Sequence, residues 1–315
     1  INQPVLKVAQ SSVCHFDVKQ IKFSDRYDLV CVLYCSKLKP KENILLKSNI
    51  KEFYAMSDAI TPNQIHMQAL WRVRKYELDI ALGYFPTVSE TQPCKVLELG
   101  SGTGQQAQYL TECGYNVLAL DLPSSSYREA RVFDIQEYDG ENLPANNNIF
   151  DVVFSSNVLE HVINIDKVLS ETHRVLKSGG IAVHLVPSPS CRGWSIFAHY
   201  IWLFRRIFSR IFVKKSADSH VQMPRTPQSS KEWLGTFFPL RHGERGNTLT
   251  EMYYFSERYW LRKFEEHGFK IKMLSNNSIF YTMANAIGTL LPLKTREKLA
   301  FFLGSSCNIY VIEKI

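Results

Sequence analysis

Gly100, Gly102 and Gly104 alternate with other residues directly after the apolar run Val96-Leu97-Glu98-Leu99. Without Cβ atoms such a turn can take positive φ and present bare amides to a ligand, while Glu98 near the end of the run places a carboxylate beside the cavity. A carboxylate suits a cationic ligand better than a pyrophosphate. The dinucleotide fingerprint would need its third glycine where Gln105 stands, so the spacing favours a sulfonium nucleoside over a dinucleotide. A second apolar run, Tyr115 to Leu120, ends in Asp121, about twenty residues beyond the glycines, where an acid can accept both ribose hydroxyls. Val132-Phe133-Asp134-Ile135 puts an acid at the end of a third short run, and Phe150 to Ser156 supplies a fourth, apolar enough to be buried on both faces.

These residues need a scaffold that brings successive carboxyl ends of strands to one edge. The pattern predicts strands near 95–99, 116–120, 131–134, 150–155 and 181–186, with helices near 104–113 and 164–176, the latter ending at Ser178-Gly179-Gly180. Alternation of this kind is an α/β, Rossmann-like doubly wound sheet, parallel with helices on both faces. Thr61-Pro62 opens a long helix with Ile65, Ala69, Val73, Tyr76 and Ile80 on one face, which should pack beside the ligand site. Later, Ser256 with Glu257 caps a helix through His267, Gly268 stops it, and strands follow at Phe269 to Leu274 and Asn308 to Ile312. Only twelve residues lie between Asp121 and Asp134, so the second crossover helix is expected to be stunted.

From about Cys94 to Ser190 the chain resembles the class I S-adenosylmethionine-dependent methyltransferases, particularly the ubiquinone/menaquinone-type group often called type 11. Five ordered blocks carry the likeness: VLELGSGTG (96–104), LALD (118–121), the Asp134 segment, LPANNNIFDVVFSSNVLEHV (143–162) and ETHRVLKSGGIAVHLVPS (171–188). The resemblance implies a seven-stranded sheet whose last strand is inserted antiparallel, and S-adenosyl-L-methionine as cofactor. It places Glu98 and the loop Gly100, Ser101, Gly102 and Gly104 against the methionyl part, Asp121 with Leu122 at the ribose, Asp134 and Ile135 at the adenine, and Asn157 near the sulfonium.

Methyl transfer asks little of side chains beyond alignment, since proximity alone can contribute ~7–11 kcal/mol. A neutral hydroxyl acceptor also wants a base, and imidazole is the usual candidate near neutral pH. His161, in Leu159-Glu160-His161-Val162 after the fourth strand, lies where an acceptor must arrive; the competing reading is a histidine bonded within its own helix. His242-Gly243-Glu244, with Glu251 further on, resembles a cluster carried by some bacterial surface-polysaccharide methyltransferases. There His242 is the second base candidate and Glu244 its orienter, against the plainer reading of an exposed polar loop. His184, inside an apolar strand, reads as a core residue.

Ser156-Asn157-Val158-Leu159 is not the Asn/Asp-Pro-Pro-aromatic block of amino-group methylases, so oxygen or carbon acceptors gain weight. The formal charge is +7, yet no RRM, KH or zinc-finger pattern accompanies it, and no nucleic-acid partner is expected. The charge gathers between Cys191 and Lys215, which holds six Lys or Arg, no acids and seven aromatics. Phe197, Ile201, Phe204, Phe208 and Ile211 recur there at helical spacing, with Arg206, Arg210 and Lys214 along the flank. Residues 191–215 thus read either as a peripheral membrane contact over a lipid-linked glycan acceptor or as a cap helix with a solvated basic edge. Met273 to Leu293 carries no charge, but Asn276, Asn277, Asn285, Gly288 and Pro292 argue against a membrane span. Seven scattered cysteines suggest reduced thiols, and Ile1 to Gln20 lacks a secretory pattern, so the expected place is the cytosol or the inner membrane face. Cys31 and Cys35 have no completing pair, and no metal is expected.

The organisation expected is an N-terminal, β-rich extension over 1–60, then a methyltransferase domain over 61–315 with inserts at 189–255 and 276–306 where acceptor choice resides. A non-catalytic cofactor-binding or scaffold module of the same fold, or a methyltransferase acting on protein or nucleic acid, are the rival functions. The oligomeric state is not legible.

Overall fold

A computed structural model describes residues 62–88, 93–212, 230–281 and 291–315. The expected N-terminal strands, Cys31 with Cys35 and Lys214 lie outside these residues.

The leading helix α1 (Pro62–Leu82) is followed by β1 (Lys95–Leu99), α2 (Gln105–Glu112), β2 (Asn116–Asp121), β3 (Ile135–Glu137) and β4 (Phe150–Ser156). Then come α3 (Ile165–Val175), β5 (Leu176–Pro187), α4 (Pro189–Phe212), α5 (Ser230–Phe237), α6 (Glu251–Tyr254), α7 (Glu257–Glu266), β6 (Phe269–Asn276), α8 (Leu293–Leu303) and β7 (Cys307–Lys314). Seven strands form one sheet in the order β3-β2-β1-β4-β5-β7-β6. The β1–β2, β1–β4, β2–β3 and β4–β5 pairs are parallel, whereas β7 runs antiparallel to both β5 and β6. This is the doubly wound α/β sheet with its last strand reversed.

Strand alternation distributes the core to two faces. Leu97, Leu99 and Val153 point to the layer made by Val168 and Leu169 of α3 and by Trp260 and Phe264 of α7. Val96, Val152 and Phe154 point to the opposite layer, with Leu78 and Ala81 of α1 and Leu110 of α2. Burying each such side chain contributes roughly 1.5–3 kcal/mol, which is why the central strands read as nearly continuous apolar runs. From Leu70 to Leu82 of α1 the buried positions are Val73, Glu77, Leu78 and Ala81, with Tyr76 and Ile80 only half-buried. Glu77 turns inward there, pairing with Arg74 at 2.7 Å and accepting from Asn277 Nδ2 at 2.7 Å.

Two boundaries differ from expectation. The strand predicted at 131–134 runs Ile135–Glu137, since residues 122–134 form turns and a single 3-10 turn, Arg128–Ala130, instead of a crossover helix. Asp134 consequently precedes β3 and is exposed, and the acid level with Asp121 is Glu137, held by Arg131 at 2.8 Å. Helix α3 stops at Val175, not at Ser178-Gly179-Gly180, because β5 pairs with β4 from Leu176 onward and accommodates the glycines in a register shift between Phe150 and Val152. Ser256 caps α7 by accepting from Tyr259 N, as its type and position suggest.

Candidate functional site

The glycine loop connects β1 to α2 at the carboxyl edge of the sheet. All three glycines have left-handed backbones, with φ of 67°, 56° and 79° at Gly100, Gly102 and Gly104. A Cβ on Gly100 would stand 2.5 Å from Val158 and one on Gly104 2.6 Å from Phe133, so those two glycines let the loop pack against its neighbours. A Cβ on Gly102 would meet only the Tyr127 ring, at 3.4 Å. Ser101 N bonds Leu120 O at 3.0 Å and Gly104 N bonds Ser101 O at 2.8 Å, which fixes the curve.

Over this loop lies a cavity of about 150 Å³, lined by the loop itself, Leu70, Trp71 and Arg74 of α1, Gln105, Gln106, Tyr127, Ser156 and Asn157. The leading helix does pack beside it. Asn157 adopts φ 56°, a conformation asparagine tolerates, and its amide oxygen faces Cys307 Sγ at 3.4 Å.

Three buried polar atoms around the loop have no hydrogen-bond partner among the described residues: Glu98 Oε2, Gln106 Nε2 and Asp121 Oδ2. Glu98 is 1% exposed, and burial pushes its carboxyl up to about 8. Asp121 spends Oδ1 on its neighbour's amide, Leu122 N, at 2.9 Å, while Arg131 stays 4.0 Å from Oδ2. Orphaned polar atoms are costly and uncommon in a folded interior, and of these three residues Gln106 lines the cavity. Glu98, Asp121, Asp134 and Ile135 do not line it, and Ile135 is buried beside Ala119.

Beyond Asn157 the chain makes a 3-10 turn, Leu159–His161, and meets the insert. His161 and His242, eighty-one residues apart in sequence, come together with ring centroids 4.7 Å apart. Their meeting depends on backbone fit. A Cβ on Gly243 would be 2.6 Å from Glu160 O, Glu244 N donates to the same oxygen at 2.9 Å, and the Arg245 guanidinium donates to Leu159 O at 2.7 Å and Val162 O at 2.6 Å. Glu251 accepts from His242 N at 2.8 Å and from Gly243 N, and it pairs with Arg192 at 2.7 Å in a fully buried contact. Glu251, rather than Glu244, therefore holds the His242 backbone; the Glu244 carboxylate is turned outward to Arg241 at 3.0 Å. Burial pushes His242 down to about 4 and lowers His161 too, although the His161 side chain remains 43% exposed. Both shifts favour the neutral imidazole, whose nitrogens keep a free lone pair.

Sequence reasoning passed over Glu160, Arg74 and Arg192. Glu160 is buried, both its oxygens lack a partner among the described residues, and burial pushes its carboxyl up to about 8. Its adjacency to His161 was the available signal. Arg74 and Arg192 lie on helices with no motif to flag them. His184 is a core residue as expected, bonded to Ser155 Oγ at 2.8 Å and stacked on Phe264.

Residues 97–184 match the family model described as a methyltransferase domain. The chain is 27% identical over 201 residues to a demethylmenaquinone methyltransferase of Corynebacterium urealyticum, covering 60% of this chain and 81% of that protein. It is 33% identical over 91 residues to a malonyl-[acyl-carrier protein] O-methyltransferase of Pectobacterium atrosepticum, covering 28% of this chain and 36% of that relative. Among solved structures, an S-adenosylmethionine-dependent methyltransferase from Mesorhizobium loti superposes with a TM-score of 0.46 at 17% identity, over 76% of this chain and 98% of that one. By these matches residues 97–184 carry a methyltransferase domain, and the chain around them is similar to S-adenosylmethionine-dependent methyltransferases.

Proposed function

We propose that the chain moves the methyl group of S-adenosylmethionine to a hydroxyl or carbon of a small acceptor that enters beside Asn157, and that the His161–His242 pair activates it. The observation that carries this reading is the contact of the His161 and His242 rings, centroids 4.7 Å apart, four residues past Asn157, which lines the cavity over the left-handed glycine loop. In this assignment Glu98 and the loop hold the methionyl end, Asp121 with Leu122 the ribose, and the segment around Asp134 and Ile135 the adenine. Asn157 stands at the sulfonium. The protein's task is to line up acceptor, methyl and sulfur and to exclude water. Among its relatives are a demethylmenaquinone methyltransferase and a malonyl-[acyl-carrier protein] O-methyltransferase, which supports a small or carrier-bound acceptor.

A lipid- or glycan-linked acceptor is the narrower form of the same proposal. Helix α4 favours it by leaving Phe197, Tyr200 and Ile201 exposed, and no helix among the described residues is long and apolar enough to cross a membrane. Contact would then be peripheral, at the headgroup level. Arg192 is excluded from that basic face, being buried against Glu251.

Labelled-methyl transfer from S-adenosylmethionine into fractionated extracts of the source cell tests both forms, with lipid and water phases counted separately. Label in the lipid phase supports the lipid-linked acceptor, and label confined to the water phase supports a small soluble one. Incorporation only into protein or nucleic acid overturns both.

A further inference from the structure

We propose that Glu160, His161 and His242 form a binding site for a divalent first-row transition metal where the turn after β4 meets the insert. This rests on the methyl-transfer reading for its purpose, though not for its geometry. One carboxylate oxygen and two imidazole nitrogens lie within 4.8 Å of one another, and His161 Nε2 is 3.8 Å from Glu160 Oε1. With metal–ligand bonds of about 2.1 Å, tetrahedral donors sit roughly 3.4 Å apart, so each has about 1 Å to travel. Two histidines and one carboxylate are the donor set of catalytic sites that leave positions open for water or substrate. Such nitrogen-rich donors suit Zn²⁺, Co²⁺ or Fe²⁺ better than Mg²⁺, Ca²⁺ or Mn²⁺.

The independent observation is Glu160 itself. It is 1% exposed, and neither carboxyl oxygen has a hydrogen-bond partner among the described residues. A carboxyl left so is destabilising unless something binds it. The surroundings also hold the donors in place, since the backbone clamp of Gly243 and Glu244 on Glu160 O fixes the approach of both histidine-bearing segments. Nearby cations are largely neutralised: Arg74 by Glu77, and Arg192 by Glu251. Arg245 is committed to the carbonyls of Leu159 and Val162.

With metal bound, the imidazoles become ligands and the metal supplies the acidity. An acceptor hydroxyl coordinated at an open position loses its proton to solvent water; the oxygen–carbon bond forms as the sulfur–carbon bond breaks. The products are a methyl ether, neutral S-adenosylhomocysteine and one released proton, which balances the sulfonium charge consumed.

The test is titration of the full chain with ZnCl₂ by calorimetry after chelator treatment, MgCl₂ serving as the comparison. One equivalent should bind, and Glu160→Gln and His242→Asn should each weaken binding by no less than the ~10-fold seen for changes around metal sites. Circular dichroism and S-adenosylmethionine binding of the variants report whether they fold. Co²⁺ substitution gives a second readout, a visible spectrum of nitrogen and oxygen ligation. No stoichiometric Zn²⁺ binding, binding unmoved by both substitutions, or a cobalt–thiolate charge-transfer band pointing to Cys191 or Cys307 overturns the site. Were the cofactor not to bind while Zn²⁺ did, the methyl-transfer reading would fall and the metal site stand; the reverse result removes the metal site alone.

Discussion

Glu98 gives the most quantitative consequence of the proposed cofactor site. Its carboxyl is 1% exposed, one oxygen has no partner among the described residues, and burial pushes it up to about 8. At pH 7 such a group is about 90% protonated. A cationic cofactor docking beside it favours the carboxylate, so binding at pH 7 should expel ~0.9 proton from Glu98 and weaken by about tenfold for each pH unit below 7. The assay is calorimetry of S-adenosylmethionine binding in buffers of differing ionisation enthalpy, whose slope counts protons released. The ligand's own amino group titrates near ~8 and contributes to any pH series. That contribution is common to wild type and Glu98→Gln, so their difference isolates Glu98. The variant should release no proton there and, losing a charge-assisted contact worth ~1.5–3 kcal/mol, bind roughly 10–150-fold more weakly once the wild-type carboxyl is ionised. Identical slopes in the two proteins would refute the placement of Glu98 against the cation.

Other consequences follow from the same geometry. Asp121→Asn should weaken S-adenosylmethionine by roughly 10–150-fold, one charge-assisted bond at Oδ2, with Tm unchanged; an equal affinity by calorimetry would remove Asp121 from the ribose. Gly100→Ala, whose Cβ would fall 2.5 Å from Val158, should lower Tm strongly, whereas Gly102→Ala, facing the cavity, should cost only the ~1–2 kcal/mol of a left-handed backbone and chiefly reduce cofactor affinity. Thermal denaturation and dialysis, run on both, would expose a reversed order. His184 is pushed down to about 3 by burial, so its folded pKa lies below the unfolded ~6.5. The stability this neutral form confers is complete above pH ~6.5 and lost as pH falls toward 3. A wild-type Tm profile flat across that window, or one unchanged by His184→Gln, would contradict it.

The glycine loop and the strands that flank it were legible because their signals are local. Positive φ at Gly100, Gly102 and Gly104 and acids at the ends of β1 and β2 are written in contiguous residues, and the sheet that presents them follows from alternation of apolar runs. The stunted crossover was legible too, from the twelve residues between Asp121 and Asp134, yet its effect on register was not: with no helix there the chain enters β3 at Ile135, leaving Asp134 before the strand. The His161–His242 contact was only partly legible. His161 and His242 were each visible by type, but their contact is set by Gly243 pressing on Glu160 O and by Arg245 reaching two carbonyls more than eighty residues away. Glu251 replaced Glu244 as the support of His242 for the same reason, since sequence adjacency does not decide which carboxylate turns inward. Glu160 was hidden because a glutamate next to a histidine reads as solvated until burial is known.

Equilibrium dialysis of the full chain against labelled S-adenosylmethionine, with wild type and Gly102→Val in parallel, bears most directly on the hollow over the glycine loop. Saturable binding of one equivalent to the wild type, abolished in a variant that retains its circular dichroism spectrum, is the outcome expected when the cofactor rests on that loop. Absence of saturable binding, or equal binding by both proteins, would contradict it.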